Sequence, residues 1–272
     1  GDENPGLGAH LKQELGMTPV YLRYNTGRHI SSNGKELSRL LDELLAAWPV
    51  PVESLSLVGH SMGGLVIRSA CLYADTEHRA WLQSLKRILF LGSPHHGSPL
   101  EKAGHLLETA MQSIKYVEPL MFGRKRSAGI KDLRHGNLLE ENWQRPDGKR
   151  HDQGPRKNVP LLPSVDHYFV AASIGRDERD LMGHLFGDLL VRVDSALRNG
   201  SSSAGEFGVN EHNCRVFQEQ NQFDLLNDAA VHDQVAQWFS STTNDTARQH
   251  ESAGNPGHLI SETPPKRGSS SE

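Results

Sequence analysis

Apolar and polar positions along this chain fall into two alternating rhythms, short unbroken apolar runs and stretches with helical spacing. Leu7 to Leu15 can form a short helix that stops at Gly16. Val20 to Tyr24 reads as a strand, entered by Pro19 and left through Asn25-Thr26-Gly27. The clearest helix follows, with Leu37, Leu40, Leu41, Leu44, Leu45 and Trp48 on one face. Asn33 and Glu36 have the spacing of a capping box at its start, and Pro49 and Pro51 end it. Leu55 to Val58 is a compact apolar run that breaks at Gly59-His60-Ser61-Met62-Gly63 and passes at once into a helix reaching about Ala74. A third strand is expected at Arg87 to Leu91, a fourth at His167 to Ser173 and a last one at Cys214 to Phe217. A final helix is expected from Ala229 to Phe239, capped by Asn227 or Asp228. Strands without a polar face, alternating with helices, predict a mostly parallel sheet covered on both sides.

Between these elements the pattern is looser. Ala103, Leu106, Leu107, Ala110, Met111, Ile114 and Val117 make another apolar stripe, either a core helix or a lid over Ser61, and its position favours the lid. Regularity fades from Phe122 to Pro163, and Asn199 to Gly208 is rich in Gly and Ser. The expected organisation is one domain over residues 1–240, with 99–163 as a candidate lid or insertion. A polar tail over 241–272 is expected to be disordered.

Composition narrows the partners. A net charge of −4 supplies no basic field, which argues against nucleic acid. No run is long enough for a membrane span. Cys71 and Cys214 read as buried thiols rather than a bridge, which leans towards a reducing, cytoplasmic setting. Fifteen histidines are scattered with no zinc-ligand spacing, so no metal and no cofactor is expected. The start at Gly-Asp-Glu-Asn, without Met, reads as a fragment.

The chemistry is concentrated at Ser61. Glycines at 59 and 63 permit a tight strand-to-helix turn with the serine at its apex, beside the first amides of a helix. A G-x-S-x-G string alone is common, but one set between a strand and a helix is much rarer. A nucleophile next to an anion-binding helix start is what acyl transfer requires.

Four segments occur in order: Gly59-His60-Ser61-Met62-Gly63-Gly64, Leu91-Gly92-Ser93-Pro94-His95-His96-Gly97-Ser98, Gly187-Asp188-Leu189-Leu190-Val191 and Phe223-Asp224-Leu225-Leu226. Together they resemble the α/β-hydrolase superfamily, in its lipase-like branch that includes inositol deacylases of lipid anchors. The resemblance runs from about Leu7 to Phe239. It implies an α/β-hydrolase fold and a serine esterase or lipase acting on a small-molecule ester or lipid. By this resemblance Ser61 is the nucleophile, Met62 gives an oxyanion N–H, and Asp188 is the acid that orients the base, with Asp194 as the fallback. His60, His95 and His96 line or pack the site.

The chain also departs from its relatives. The resemblance puts the histidine base directly before Phe223, where this sequence has Gln222. An amide has no useful basicity near neutral pH, so turnover is expected to be impaired. A catalytically inactive homologue that binds a lipid or a protein is the alternative. The family strand and His-Gly oxyanion loop expected ahead of Gly6 have no counterpart here. This predicts an N-terminally truncated fold, a missing second oxyanion donor and a bare apolar sheet edge.

Overall fold

The computed structural model describes residues 6–93, 127–135, 137–142, 159–173, 211–218 and 224–252. Four strands, β1 (Leu55–His60), β2 (Leu85–Leu91), β3 (Asp166–Ser173) and β4 (Cys214–Gln218), form one sheet in the order β1-β2-β3-β4. All three pairings are parallel, with His60 opposite Leu91, Leu91 opposite Val170 and Val170 opposite Arg215. Parallel neighbours need crossovers, and the helix Met62–Thr76 supplies the one between β1 and β2. The expected class, a parallel α/β sheet covered on both sides, is what the chain forms.

The two faces hold separate cores. Helices α2 (Ile30–Ala47) and α3 (Met62–Thr76) cover one face, where Leu37, Leu41, Leu65 and Ala70 meet Leu57, Ile88, Phe90 and Phe169. Helices α1 (Leu7–Leu15) and α5 (Ala229–Ser252) cover the other, where Leu7, Leu11, Val231 and Phe239 meet Leu89, Leu91, Tyr168 and Val170. Because residues 88–91 of β2 and 168–171 of β3 are apolar and buried on both faces, they read as unbroken hydrophobic runs rather than alternating ones. The helix α5 runs past the expected Phe239 to Ser252, and Asp228 Oδ1 caps it by accepting the Val231 N–H at 3.0 Å.

Two local expectations are corrected. Val20 to Tyr24 forms no strand: the segment lies across a cavity from β1 and has no ladder to join. Helix α2 starts at Ile30, not after Asn33, so the supposed capping box lies inside the helix. Asn33 instead donates from Nδ2 to the Asn25 carbonyl at 2.9 Å, and Glu36 pairs with Arg39. The acceptor at the helix start comes from far along the chain. Asp132, on helix α4 (Ala128–His135), is buried and accepts the Ile30 N–H at 3.0 Å through Oδ2. The same oxygen lies 2.8 Å from His29 Nδ1, and Asn137 Nδ2 donates to Oδ1 at 3.3 Å. Thus α4 is clamped to α2 by one carboxylate.

Within the stretch 99–163, Leu133, Leu138, Leu139 and Val159 are buried in the α2–α3 core. Ser69 Oγ donates to the Leu138 carbonyl at 2.8 Å and Arg68 donates to the Val159 carbonyl at 2.5 Å, fastening these pieces to α3. The apolar stripe from Ala103 to Val117 lies outside the described residues. Cys71 and Cys214 are free and buried, and burial pushes the Cys71 thiol up to about 12. No helix among the described residues is long and apolar enough to cross a membrane.

Candidate active site

The site grows from the junction of β1 and α3. Ser61 sits between them with φ 52° and ψ −121°, a backbone region that side-chain-bearing residues rarely occupy. Such strain persists only where the surroundings fix it. Here the Ser61 N–H donates to the Leu91 carbonyl at 2.9 Å, and the Ser61 carbonyl accepts the Gly64 N–H at 3.2 Å. The turn is therefore anchored to the end of β2 on one side and to the first turn of α3 on the other. The Ser61 hydroxyl makes no cap hydrogen bond to the helix, although serine is a favoured cap residue.

Close approach explains two of the glycines. A Cβ at Gly59 would meet Gly64 N at 2.6 Å and Gly64 Cα at 2.7 Å, both backbone atoms that have nowhere to go. A Cβ at Gly64 would meet Ser93 Cβ at 2.7 Å and Phe90 Cδ1 at 2.9 Å. Strand and helix thus cross at a distance only glycine allows. Ser93 Oγ donates to the Gly59 carbonyl at 3.4 Å and ties the segment after β2 to the same corner.

Beside Ser61 the space is open. A Cβ at Gly63 would find only the Tyr24 hydroxyl, 3.8 Å away. The Met62 and Gly63 amides belong to the first turn of α3, where no intrahelical acceptor exists for them. That end of the helix carries partial positive charge pointing to the Ser61 corner. Burial raises the Tyr24 phenol above its ordinary value of 10.0, so it stays protonated near neutral pH. Tyr24 had no motif to mark it; only the fold brings it from the end of the 20–24 segment to the elbow.

His60, the last residue of β1, lines a large cavity together with Gly59 and Gly63. Of the other residues singled out from the sequence, Asp188, Asp194, Gln222, His95 and His96 lie outside the described residues. Among the described residues, no group of three or more His, Cys, Asp or Glu side chains could hold a metal ion.

Residues 21–133 match the family described as the PGAP1-like alpha/beta domain. That segment contains α2, β1, the Ser61 turn, α3, β2 and most of α4. A search of the curated proteins finds no significant match. A search of the solved structures returns a lipase from Bacillus licheniformis, at 19% identity and TM-score 0.36, covering 74% of this chain and 70% of that one. A thioesterase of the prodiginine pathway in Streptomyces coelicolor is 15% identical at TM-score 0.43, with 86% and 85% covered. A naproxen esterase from Bacillus subtilis is 12% identical at TM-score 0.40, with 85% and 77% covered. By its parallel sheet, its strained strand-to-helix turn and its matched segment, the chain has an α/β-hydrolase-type fold and resembles, over residues 21–133, the PGAP1-like alpha/beta domain.

Proposed function

We propose that this chain is a serine hydrolase of carboxylic esters by lineage, with Ser61 as nucleophile and an acyl-serine intermediate. The observation that carries the reading is the Ser61 backbone at φ 52° and ψ −121°, held between a strand and a helix N-terminus with its hydroxyl unused as a cap. In the proposed reaction Ser61 Oγ attacks the ester carbonyl carbon, and the carbonyl electron pair moves onto oxygen. The Met62 N–H holds that oxyanion. Without a base at position 222 the Ser61 proton passes to water; collapse expels the alkoxide, which takes a proton back from water, and leaves the acyl group on Ser61 for a second water to remove. In this reading Asp188 is the acid of the triad, the residue that orients a histidine base where position 222 carries one, and the substrate is a small-molecule ester or lipid.

The serine proton needs an acceptor, and the residue at the base position is Gln222. Its amide can donate and accept hydrogen bonds but cannot take that proton near neutral pH. Loss of one triad member typically costs about four to six powers of ten in rate. Gln222 therefore also supports a second reading, an inactive homologue that keeps the fold and binds a lipid or protein.

Labelling of Ser61 by a fluorophosphonate tests the first reading. Gln222→His should raise the labelling rate by at least about 100-fold, and Ser61→Ala should abolish it. No gain in the Gln222→His variant counts against the assignment of that position. No labelling in either form, together with lipid or protein binding, favours the second reading.

A further inference from the structure

Of the three glycines around Ser61, only Gly63 has no steric reason to be one among the described residues. It lies in the first turn of α3, where glycine is a poor helix former, and its φ is not positive. Gly59 and Gly64 are required by backbone and side-chain atoms under 3.0 Å from where a Cβ would stand. A Cβ at Gly63 would meet a single described atom, the Tyr24 hydroxyl oxygen at 3.8 Å, which is ordinary contact. The missing side chain therefore leaves a niche beside the first-turn amides of α3, faced by one phenol.

That phenol is available to a ligand. The Tyr24 hydroxyl makes no hydrogen bond among the described residues, and burial alone holds its proton above the ordinary value of 10.0. It presents an O–H rather than a phenolate near neutral pH. Its position is fixed from behind. The ring packs against the α2–α3 core, and the turn that follows is closed by the Gly27 N–H to Asn25 Oδ1 at 2.9 Å and the Arg28 N–H to the Asn25 carbonyl at 3.2 Å. Asn33 Nδ2 donates to the same carbonyl at 2.9 Å, and the Gly129 N–H of α4 donates to the Gly27 carbonyl at 3.4 Å. A Cβ at Gly129 would run into the Thr26 and Arg28 carbonyls, so α4 lies directly on this turn. A donor anchored in this way needs no rearrangement when charge develops in front of it.

We propose that Tyr24 is a catalytic residue whose O–H donates, together with the Met62 N–H, to the oxygen that becomes anionic when Ser61 attacks an ester carbonyl. This role rests on the serine-hydrolase reading of Ser61 and adds a side chain to it. As the bond from Ser61 Oγ to the carbonyl carbon forms, the carbonyl electron pair moves onto oxygen, where two donors already in place receive it. Tyr24 keeps its own proton throughout. Collapse returns the pair to the carbonyl as the alkoxide leaves, and both hydrogen bonds weaken again. A phenol that merely bound the ester would act on KM, whereas one that meets the oxyanion acts on kcat.

The test uses the full chain carrying Gln222→His, with a fluorophosphonate and p-nitrophenyl butyrate as probes. Phosphonylation joins Ser61 Oγ to phosphorus, expels fluoride and sets a phosphoryl oxygen where the oxyanion would stand. Tyr24→Phe keeps the ring and loses the donor, so it should fold as judged by circular dichroism and urea unfolding. It should lower kcat for the butyrate at least about 100-fold with KM changed less than about 3-fold, and slow phosphonylation at least about 10-fold. Gly63→Ala should be no less stable than its parent, yet by filling the niche it should slow both reactions at least about 10-fold. Parent rates in either variant, or a raised KM at unchanged kcat in Tyr24→Phe, would overturn the role of Tyr24 and leave Ser61 as the nucleophile. No label on Ser61 and no turnover with Tyr24 intact would overturn the serine-hydrolase reading and Tyr24 with it, so the label on Ser61 tells the two failures apart.

Discussion

The two flanks of β1 differ in how closely they are packed. Towards β2 and α3 the packing is so close that backbone touches backbone at Gly59 and Gly64, and a serine is held in a strained turn. Towards the segment 17–22 the same strand faces a cavity of about 960 Å³. The contrast separates two tasks. The packed flank fixes where the Ser61 hydroxyl points, and strain survives there because neighbours on both sides over-determine it. The open flank leaves Val58, in the middle of the same strand, 42% exposed.

Substitutions on adjacent residues are the sharpest way to break this comparison. Gly59→Ala forces a Cβ into the Gly64 backbone and should cost at least about 3 kcal/mol, read as a lowered urea midpoint. A loss below about 1 kcal/mol would mean that the elbow is not packed as described. His167, on β3 and stacked 6.3 Å from Phe90, tests the packed side in another way. Burial lowers its imidazole from 6.5 to about 4, so the folded protein keeps it neutral. The unfolded chain takes up the proton from pH 6.5 downward and the folded one only near 4. Its contribution is complete above pH 6.5 and drains as pH falls towards 4, on the order of 3 kcal/mol in all. Denaturation at pH 7 and at pH 4.5 should show this loss, and His167→Gln should remove most of the difference.

A smaller effect is expected at the clamp between α4 and α2. Asp132→Ala removes the acceptor for the Ile30 N–H and should cost about 2 kcal/mol, measured by thermal unfolding. On the empty flank, Val58→Thr should change stability by no more than about 0.5 kcal/mol, since the residue is 42% exposed. A large loss at Val58 would erase the distinction between the flanks.

What the sequence revealed follows the range over which each feature is determined. The Ser61 elbow was legible because strand, turn and helix start lie within a dozen consecutive residues, and the glycine spacing needed there is local. The start of α2 was not, because its cap acceptor comes from Asp132, 102 residues beyond Ile30. Asn33 had the right spacing and the wrong place, since its side chain serves the 25–28 turn instead. Val20 to Tyr24 has a strand's composition, but strand formation needs a partner that composition does not supply. Tyr24 reaches Gly63 only after the fold is assembled, so no string of neighbours announces it.

The carboxylate at Asp132 also has a consequence for the order in which the chain can mature. As the polypeptide leaves the ribosome, residues 30–47 emerge long before position 132 and lack the acceptor that finishes their first turn. Their amino end must remain frayed, or borrow water, until roughly a hundred more residues have been synthesised. Completion of this early helix is thereby a late event of biosynthesis.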